Sequence, residues 1–345
     1  MSATSATTVS AERSRKIRNW ILIVATNLIA LLCMYYVLSG AHIHLIWGDI
    51  RDMTWHWVAL AVIFDVVVYV LQSWRWSLIL RPVENVSLWT SVRAIYIGLF
   101  ANEVLPLRAG ELIRCFLMTR WGKVPLSVSF ASALIERIFD GFWLMLCFFV
   151  TLRLAELPAV LERAGYILGL IVVVAAAIIA IGMYTRGQST GTVFGFRVPK
   201  WFDTLVKDLR LIGHSRFLYF AFIISGVFIA AQILPIYSVI RAYGLDLESR
   251  LISAFTMMVL LRLSSVVPQL PGNLGLFQGV TFRTLILFGV YGAVAKRFSL
   301  ILWAVVTIPL IVAGFVILSM TGARLAHLHK EAQSAALGSQ TDGTE

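Results

Sequence analysis

Long stretches of this chain carry no charge at all: Trp20 to Ala41, Ala164 to Thr185, Phe217 to Ile240 and Phe298 to Ala323. A bilayer hydrocarbon core of roughly 30 Å takes about 20 apolar residues per helical crossing, and each of these runs is that long. Two more runs, Trp57 to Trp74 with Asp65 and Leu126 to Leu152 with Glu136, Arg137 and Asp140, are nearly as apolar. A helix satisfies its backbone within one segment, which lipid demands, so the chain reads as an all-α integral membrane protein. Composition agrees, with 59% of the 345 residues apolar and 14% charged, against about a quarter charged in a soluble domain.

The net charge of +11 raises the question of nucleic acid, but the basic residues sort by loop instead. One set of connections holds Arg13, Arg15, Lys16 and Arg18, then Arg81, then Arg114 to Lys123, then Arg186, Arg197, Lys200, Lys207, Arg210 and Arg216, and finally Arg324 and Lys330. The alternate loops are poorer or balanced. By the positive-inside rule the basic set is cytoplasmic, which places both termini in the cytoplasm of a bacterial inner membrane, with Lys296 and Arg297 alone on the wrong side. The apolar run after Arg18 exceeds a signal-peptide core, so the first helix is read as uncleaved. Residues 1–18 form a basic cytoplasmic tail, 19–323 the transmembrane domain, and 324–345 a disordered cytoplasmic tail. Between Gly187 and Ser215, Trp201, Phe202, Leu205 and Leu209 alternate with basic residues as in an interfacial helix. Cys33, Cys115 and Cys147 have no pairing or metal spacing.

Two segments, Leu88 to Trp121 and Ser249 to Ala295, are apolar but broken by Pro and Gly. A helix stops at such residues, and inside a membrane the break needs cover from protein or water. Each segment is a helical hairpin, either re-entrant or made of two short tilted spans. The two centres superpose: Pro106 and Pro268, and Gly110 and Gly272, are both 162 apart (268 minus 106, 272 minus 110). Ser91 with Ser253 and Asn102 with Ser264 extend the match. Three crossings separate the hairpins, so they enter from opposite faces. The architecture expected is a polytopic helical bundle of about six spans plus two interrupted hairpins in an inverted repeat, the arrangement that in transporters frames a binding site near the midplane.

Charge within the membrane costs about 2.5 to 3.5 kcal/mol per residue at a helix centre, so each such residue needs a partner or a task. Around the first break lie Glu103, Arg108, Glu111 and Arg114. Arg108 and Arg114 present planar donor forks suited to a lipid phosphate, with Glu111, three residues from Arg114, orienting one of them; mutual pairing at the interface is the alternative. Glu136 and Asp140 share a helix face and fit acid–base work less well than a clamp onto an Arg of the first hairpin. In the second hairpin Arg262, Gln269, Asn273, Gln278 and Arg283 flank Pro268, Pro271, Gly272 and Gly275, and Arg262 is the residue expected to meet an anionic head group. Asp65 stands alone in its helix. His42, His44 and His56 with Asp49 and Asp52 are too loosely spaced for a metal site.

The segments NEVLPLRAGELIR (Asn102 to Arg114), ERIFD (Glu136 to Asp140) and VPQLPGNLGLFQ (Val267 to Gln278) together resemble the lysylphosphatidylglycerol synthase transmembrane, or flippase-like, family, over about Trp20 to Gly322. The resemblance implies a membrane bundle with interrupted helices that moves lipids between leaflets. It implicates Pro106, Arg108, Gly110, Glu111 and Arg114, then Glu136, Arg137 and Asp140, then Pro271, Gly272 and Gly275. In the family the third motif commonly reads PGGLG followed by an acid; here Asn273 replaces the second Gly and Gln278 the acid. Long members also carry a soluble aminoacyl-transferase domain, whereas a short tail follows Gly322 here, so lysyl-lipid synthesis is not expected of this chain.

The expectation is therefore a translocase of an anionic lipid or lipid-linked precursor, not an enzyme. Arg108, Glu111, Arg114, Arg262 and Asn273 would meet the head group. Asn102, Pro106, Gly110, Glu136, Arg137, Asp140, Pro268, Pro271, Gly272, Gly275 and Gln278 would hold or couple the hairpins. Membrane lipids are the expected partners, with no cofactor, metal or nucleic acid. The alternatives are an accessory protein of lipid, hopanoid or surface-glycan biosynthesis, working with lipid-biosynthesis proteins, and a membrane-embedded lipid-modifying enzyme.

Overall fold

The computed structural model describes residues 28, 31–39, 41–105, 109–159, 162–163, 165–167, 169–170, 173–174, 192–193, 196–197, 215–265, 273–321 and 334. The two terminal tails (bar Ser334), the interfacial segment 201–209, and Pro106, Arg108, Pro268, Pro271 and Gly272 lie outside the described residues. After a helical segment at 31–39 come α1 (Ile46–Asp52), α2 (Trp55–Leu80), α3 (Leu88–Val104), α4 (Gly110–Gly122) and α5 (Leu126–Leu154). A two-residue antiparallel pair, Thr192–Val193 with Phe196–Arg197, precedes α6 (Arg216–Ala231), α7 (Ile233–Tyr243), α8 (Arg250–Ser264), α9 (Leu276–Leu287) and α10 (Gly292–Met320). The protein is an all-α membrane bundle.

Three described helical stretches are long and apolar enough to cross a bilayer: α2, the joined α6 and α7 (Arg216–Tyr243), and α10. They coincide with three of the six runs read as spans. Their outward faces carry apolar stripes at helical spacing, such as Ile63, Val66, Val70 and Trp74 on α2 and Ile308, Val312, Phe315 and Val316 on α10, all exposed. Stripes of that extent would be an aggregation liability in water and are ordinary against lipid. The fourth run, α5, is as long as α10 but carries Glu136, Arg137 and Asp140. Of the other two runs, half of the first and most of the second fall outside the described residues.

The interrupted segments are α3 with α4, and α8 with α9. At 1.5 Å per residue their arms measure about 18 to 26 Å, short of a core of roughly 30 Å. The register of the repeat extends to the caps. Ser87 Oγ accepts from the Thr90 amide at 3.2 Å, and Ser249 Oγ accepts from the Ile252 amide at 3.4 Å, 162 residues later (249 minus 87). Each serine satisfies one of the orphan donors at a helix start.

Two apolar clusters flank the centre of the bundle. One gathers Trp76, Ile79, Ile95, Ile113, Leu117 and Met118 around the first hairpin; the other gathers Phe148, Phe228, Val239, Met257, Phe298 and Leu302 around the second. α10 packs against both hairpins, and α5 touches α4 on one side and α8 on the other. The polar groups lie between the clusters.

Lys296 and Arg297, which break the charge rule for orientation, are both buried on α10. Arg297 Nε donates to Asp49 Oδ2 at 2.5 Å, an oxygen that also accepts from the Tyr243 hydroxyl at 2.5 Å. Lys296 Nζ donates to the Tyr36 carbonyl at 2.7 Å and sits 4.0 Å from the centre of the Tyr36 ring. These cations are consumed as internal fasteners, so they do not act as free loop charges.

Candidate functional site

Arg75 comes from α2, Glu111 and Arg114 from α4, and Glu136, Arg137 and Asp140 from α5. These six side chains close a ring of alternating charge. Arg75 meets Glu136 Oε1 through Nη2 at 3.0 Å and Nε at 3.3 Å. The other carboxylate oxygen of Glu136 accepts from Arg114 Nη1 at 2.7 Å. Arg114 grips Glu111 at 2.8 Å, Glu111 holds Arg137 at 3.0 Å, Arg137 reaches Asp140 at 3.9 Å, and Asp140 returns to Arg75. Three guanidiniums and three carboxylates thus cancel inside the membrane domain.

The ring has a dry side and a wet side. The side chains of Arg75 and Glu136 are 0% exposed and that of Arg114 4%, while Glu111 is 41% and Arg137 49% exposed. On the dry side Arg75 also lies over the Phe228 ring at 4.7 Å and Arg114 over Trp76 at 4.9 Å. Such stacking suits the weakly hydrated guanidinium.

The wet side opens on a cavity of about 280 Å³. That volume holds a polar head group and far less than a whole lipid. Both hairpin tips wall it: Asn102, Glu103 and Leu105 from the first, Arg262, Ser264, Ser265 and Asn273 from the second. Asp65, Tyr69 and Gln72 enter from α2, Glu111 from α4, Arg137 and Asp140 from α5, and Gln232 from the joint between α6 and α7. That joint exists because Pro235 has no amide hydrogen to give the carbonyl four residues back. The break frees Gln232, whose Oε1 accepts from Arg262 Nε. Arg262 lies 5.4 Å from the centre of the Phe228 ring and has no carboxylate at ion-pair distance among the described residues. Asp65, 8% exposed, likewise forms no hydrogen bond or ion pair among them and couples electrostatically to Arg262.

The hairpin tips explain the motif residues locally. Asn102 Oδ1 accepts from the Gly110 amide at 2.9 Å, so the end of α3 caps the start of α4. Gly110 has no room for a side chain: a Cβ there would stand 1.8 Å from the Gly98 carbonyl oxygen. Asn273 adopts φ +53°, the left-handed region that Gly enters freely and Asn tolerates better than most residues. This accounts for Asn at the place of the second Gly in the PGGLG pattern that the segment resembles. Its Nδ2 reaches Glu103 Oε1 at 3.4 Å and ties the two hairpins together. Gln278 Oε1 accepts from the Gly275 amide at 2.7 Å, the capping role an acid would fill, while its Nε2 is buried with no hydrogen-bond partner among the described residues.

The predicted residues therefore separate. Arg262, Asn273, Asn102, Glu111, Arg137 and Asp140 converge on the cavity, whereas Arg114 and Glu136 are sealed in the dry half of the ring. Arg75, Tyr69, Gln72 and Gln232 are new. The apolar run as read closes at Trp74, one residue before Arg75, and neutral Tyr and Gln do not register in a search for charge. His42 and His44 stack edge to face at 6.0 Å, and no metal-holding trio of His, Cys, Asp or Glu occurs among the described residues.

Comparison with known proteins agrees with this architecture. The chain is 20% identical over 305 residues to a UPF0104 membrane protein of Methanothermobacter thermautotrophicus, covering 81% of this chain and 87% of that one. A second UPF0104 membrane protein of the same organism is 24% identical, over 72% of this chain and 78% of its own length. The glycosyltransferase AglD of Haloferax volcanii is 35% identical over 86 residues, 24% of this chain and 14% of that protein. The model of the lysylphosphatidylglycerol synthase TM region matches residues 22–314. That span takes in both hairpins, the charge ring and the cavity, and the chain belongs to the lysylphosphatidylglycerol synthase transmembrane-region family.

Proposed function

We propose that the chain moves an anionic phospholipid or a lipid-linked precursor between the leaflets of a bacterial inner membrane, with both termini in the cytoplasm and no chemistry performed on the cargo. The observation that carries this reading is the cavity between two broken-helix tips, containing a guanidinium, Arg262, with no carboxylate at ion-pair distance among the described residues. A lipid phosphate would complete the donors of Arg262, Asn273 and Asn102 would border the remainder of the head group, and the acyl chains would stay in the bilayer. The short arms of both hairpins support re-entrant packing, which leaves the cavity reachable along a polar path.

The test is leaflet exchange in liposomes containing the purified, folded protein, with fluorescent phosphatidylglycerol and a polyprenyl-phosphate sugar followed by reduction of the outer-leaflet dye. Exchange above protein-free vesicles is expected. Arg262→Gln should lower it about tenfold, the worth of one charge-assisted hydrogen bond. Protein-free rates for both lipids would overturn the reading. A second reading, an accessory protein of lipid-linked glycan assembly, draws on the partial match to AglD. It predicts no exchange from the purified chain and a loss of lipid-linked glycan in cells lacking it.

A further inference from the structure

A second cavity, of about 240 Å³, lies at the other end of α3, lined by Trp89, Arg93, Trp121, Ile317, Met320 and Thr321. Trp89 and Glu103 are 14 residues apart on one helix (103 minus 89), so the two cavities sit about 20 Å apart at 1.5 Å per residue, and they share no lining residue. Arg93 lies over the Trp121 ring at 5.0 Å. Among the described residues its Nε is enclosed with no hydrogen-bond partner and the side chain has no ion pair. Neither lining indole N–H has an acceptor among them. A desolvated guanidinium nitrogen left unsatisfied is costly, and a bound oxyanion would remove that cost.

The surroundings identify the kind of anion. Trp89 is 58% and Met320 76% exposed, so the mouth of the cavity is apolar and bordered by indole, the side-chain type enriched where bilayer meets water. The same end of the bundle carries exposed Arg81, Arg120, Lys123 and Arg216 against Glu84, a rim that attracts an anionic leaflet. We infer that this cavity is a binding site for the phosphate of an anionic phospholipid, held by Arg93 and the indole N–H groups of Trp89 and Trp121, with the acyl chains running over Ile317 and Met320. It is separate from the central cavity and holds whether or not the chain transports lipid.

Native mass spectrometry of the full-length protein in mild detergent tests this with phosphatidylglycerol, phosphatidylcholine and inorganic phosphate as probes. The wild type should retain phosphatidylglycerol in preference to phosphatidylcholine. Arg93→Gln should weaken retention of one bound phosphatidylglycerol, counted by mass, about tenfold. Ile317→Trp, which fills the cavity without touching the charge, should do the same, and both variants are first checked for wild-type elution and thermal stability. Millimolar inorganic phosphate should displace little lipid. Equal retention by wild type and both folded variants would overturn the site. Displacement of the lipid by inorganic phosphate at equal concentration would overturn its assignment to a lipid.

Discussion

Replacing Glu136 by Gln asks whether the charge ring holds the bundle together. Glu136 is 0% exposed and gives one oxygen to Arg75 at 3.0 Å and the other to Arg114 at 2.7 Å. Gln keeps the shape but has one acceptor, so its amide N–H₂ would face one of the guanidiniums, donor to donor. Two cations then share a dry site with one fewer anion. Breaking a buried pair from one side costs about 3 to 5 kcal/mol, and Glu136 serves two partners, so the upper part of that range is expected. The control is Arg137→Gln. Arg137 is 49% exposed and its partner Glu111 41%, which puts the pair among exposed bridges worth about 0.2 to 1 kcal/mol. Equilibrium unfolding in mixed micelles, followed by the reactivity of the buried Cys115 thiol, reads both variants against wild type. If Glu136→Gln lies within about 1 kcal/mol of wild type, or Arg137→Gln costs as much as Glu136→Gln, the dry and wet division of the ring is wrong.

Three further outcomes follow from the same geometry. Asp65→Asn should strengthen retention of phosphatidylglycerol in the central cavity, because it removes the carboxylate coupled to Arg262, whereas Arg262→Gln should weaken it; equilibrium lipid binding with the Arg93 site blocked by Ile317→Trp measures the two opposite signs. Gly110→Ala should abolish accumulation of folded protein, since the added Cβ meets the Gly98 carbonyl at 1.8 Å and neither is the tip of a flexible side chain; detergent extraction and gel filtration check it. Gln278→Glu should fold as well as wild type, because a carboxylate can still accept from the Gly275 amide near a helix N-terminus that favours negative charge, and the buried orphan Nε2 is removed; thermal unfolding reports the comparison.

The spans were readable from the chain because hydropathy is a local property: two runs without charge became the joined α6 and α7 and α10, and the run that carries Asp65 became α2. The hairpins were readable too, since Pro and Gly stop helices wherever they fall, and the 162-residue register recurs in the caps at Ser87 and Ser249. The clamp from Glu136 to an Arg of the first hairpin was foreseeable from charge on a shared helix face. Its second partner was not, because Arg75 lies 61 residues from Glu136 and at the margin of its apolar run, where a charge normally needs no partner. Gln232 was invisible for the opposite reason. It is neutral and sits inside a charge-free stretch, and Pro235 three residues on was the sole sign that the helix would open there.

The ring also bears on how the protein can be made. α2 leaves the ribosome with Arg75 well before Arg114, Glu136 and Asp140 exist to neutralise it, and a lone Arg at mid-helix costs about 2.5 to 3.5 kcal/mol to insert. Arg75 lies five residues from the end of α2, close enough for its side chain to reach head groups while it waits. Once α4 and α5 arrive, that arginine must withdraw from the surface into the dry interior. Integration of the early helices is then provisional, and lateral assembly of three segments commits them, so a chain stalled before Asp140 is expected to remain a substrate for membrane quality control.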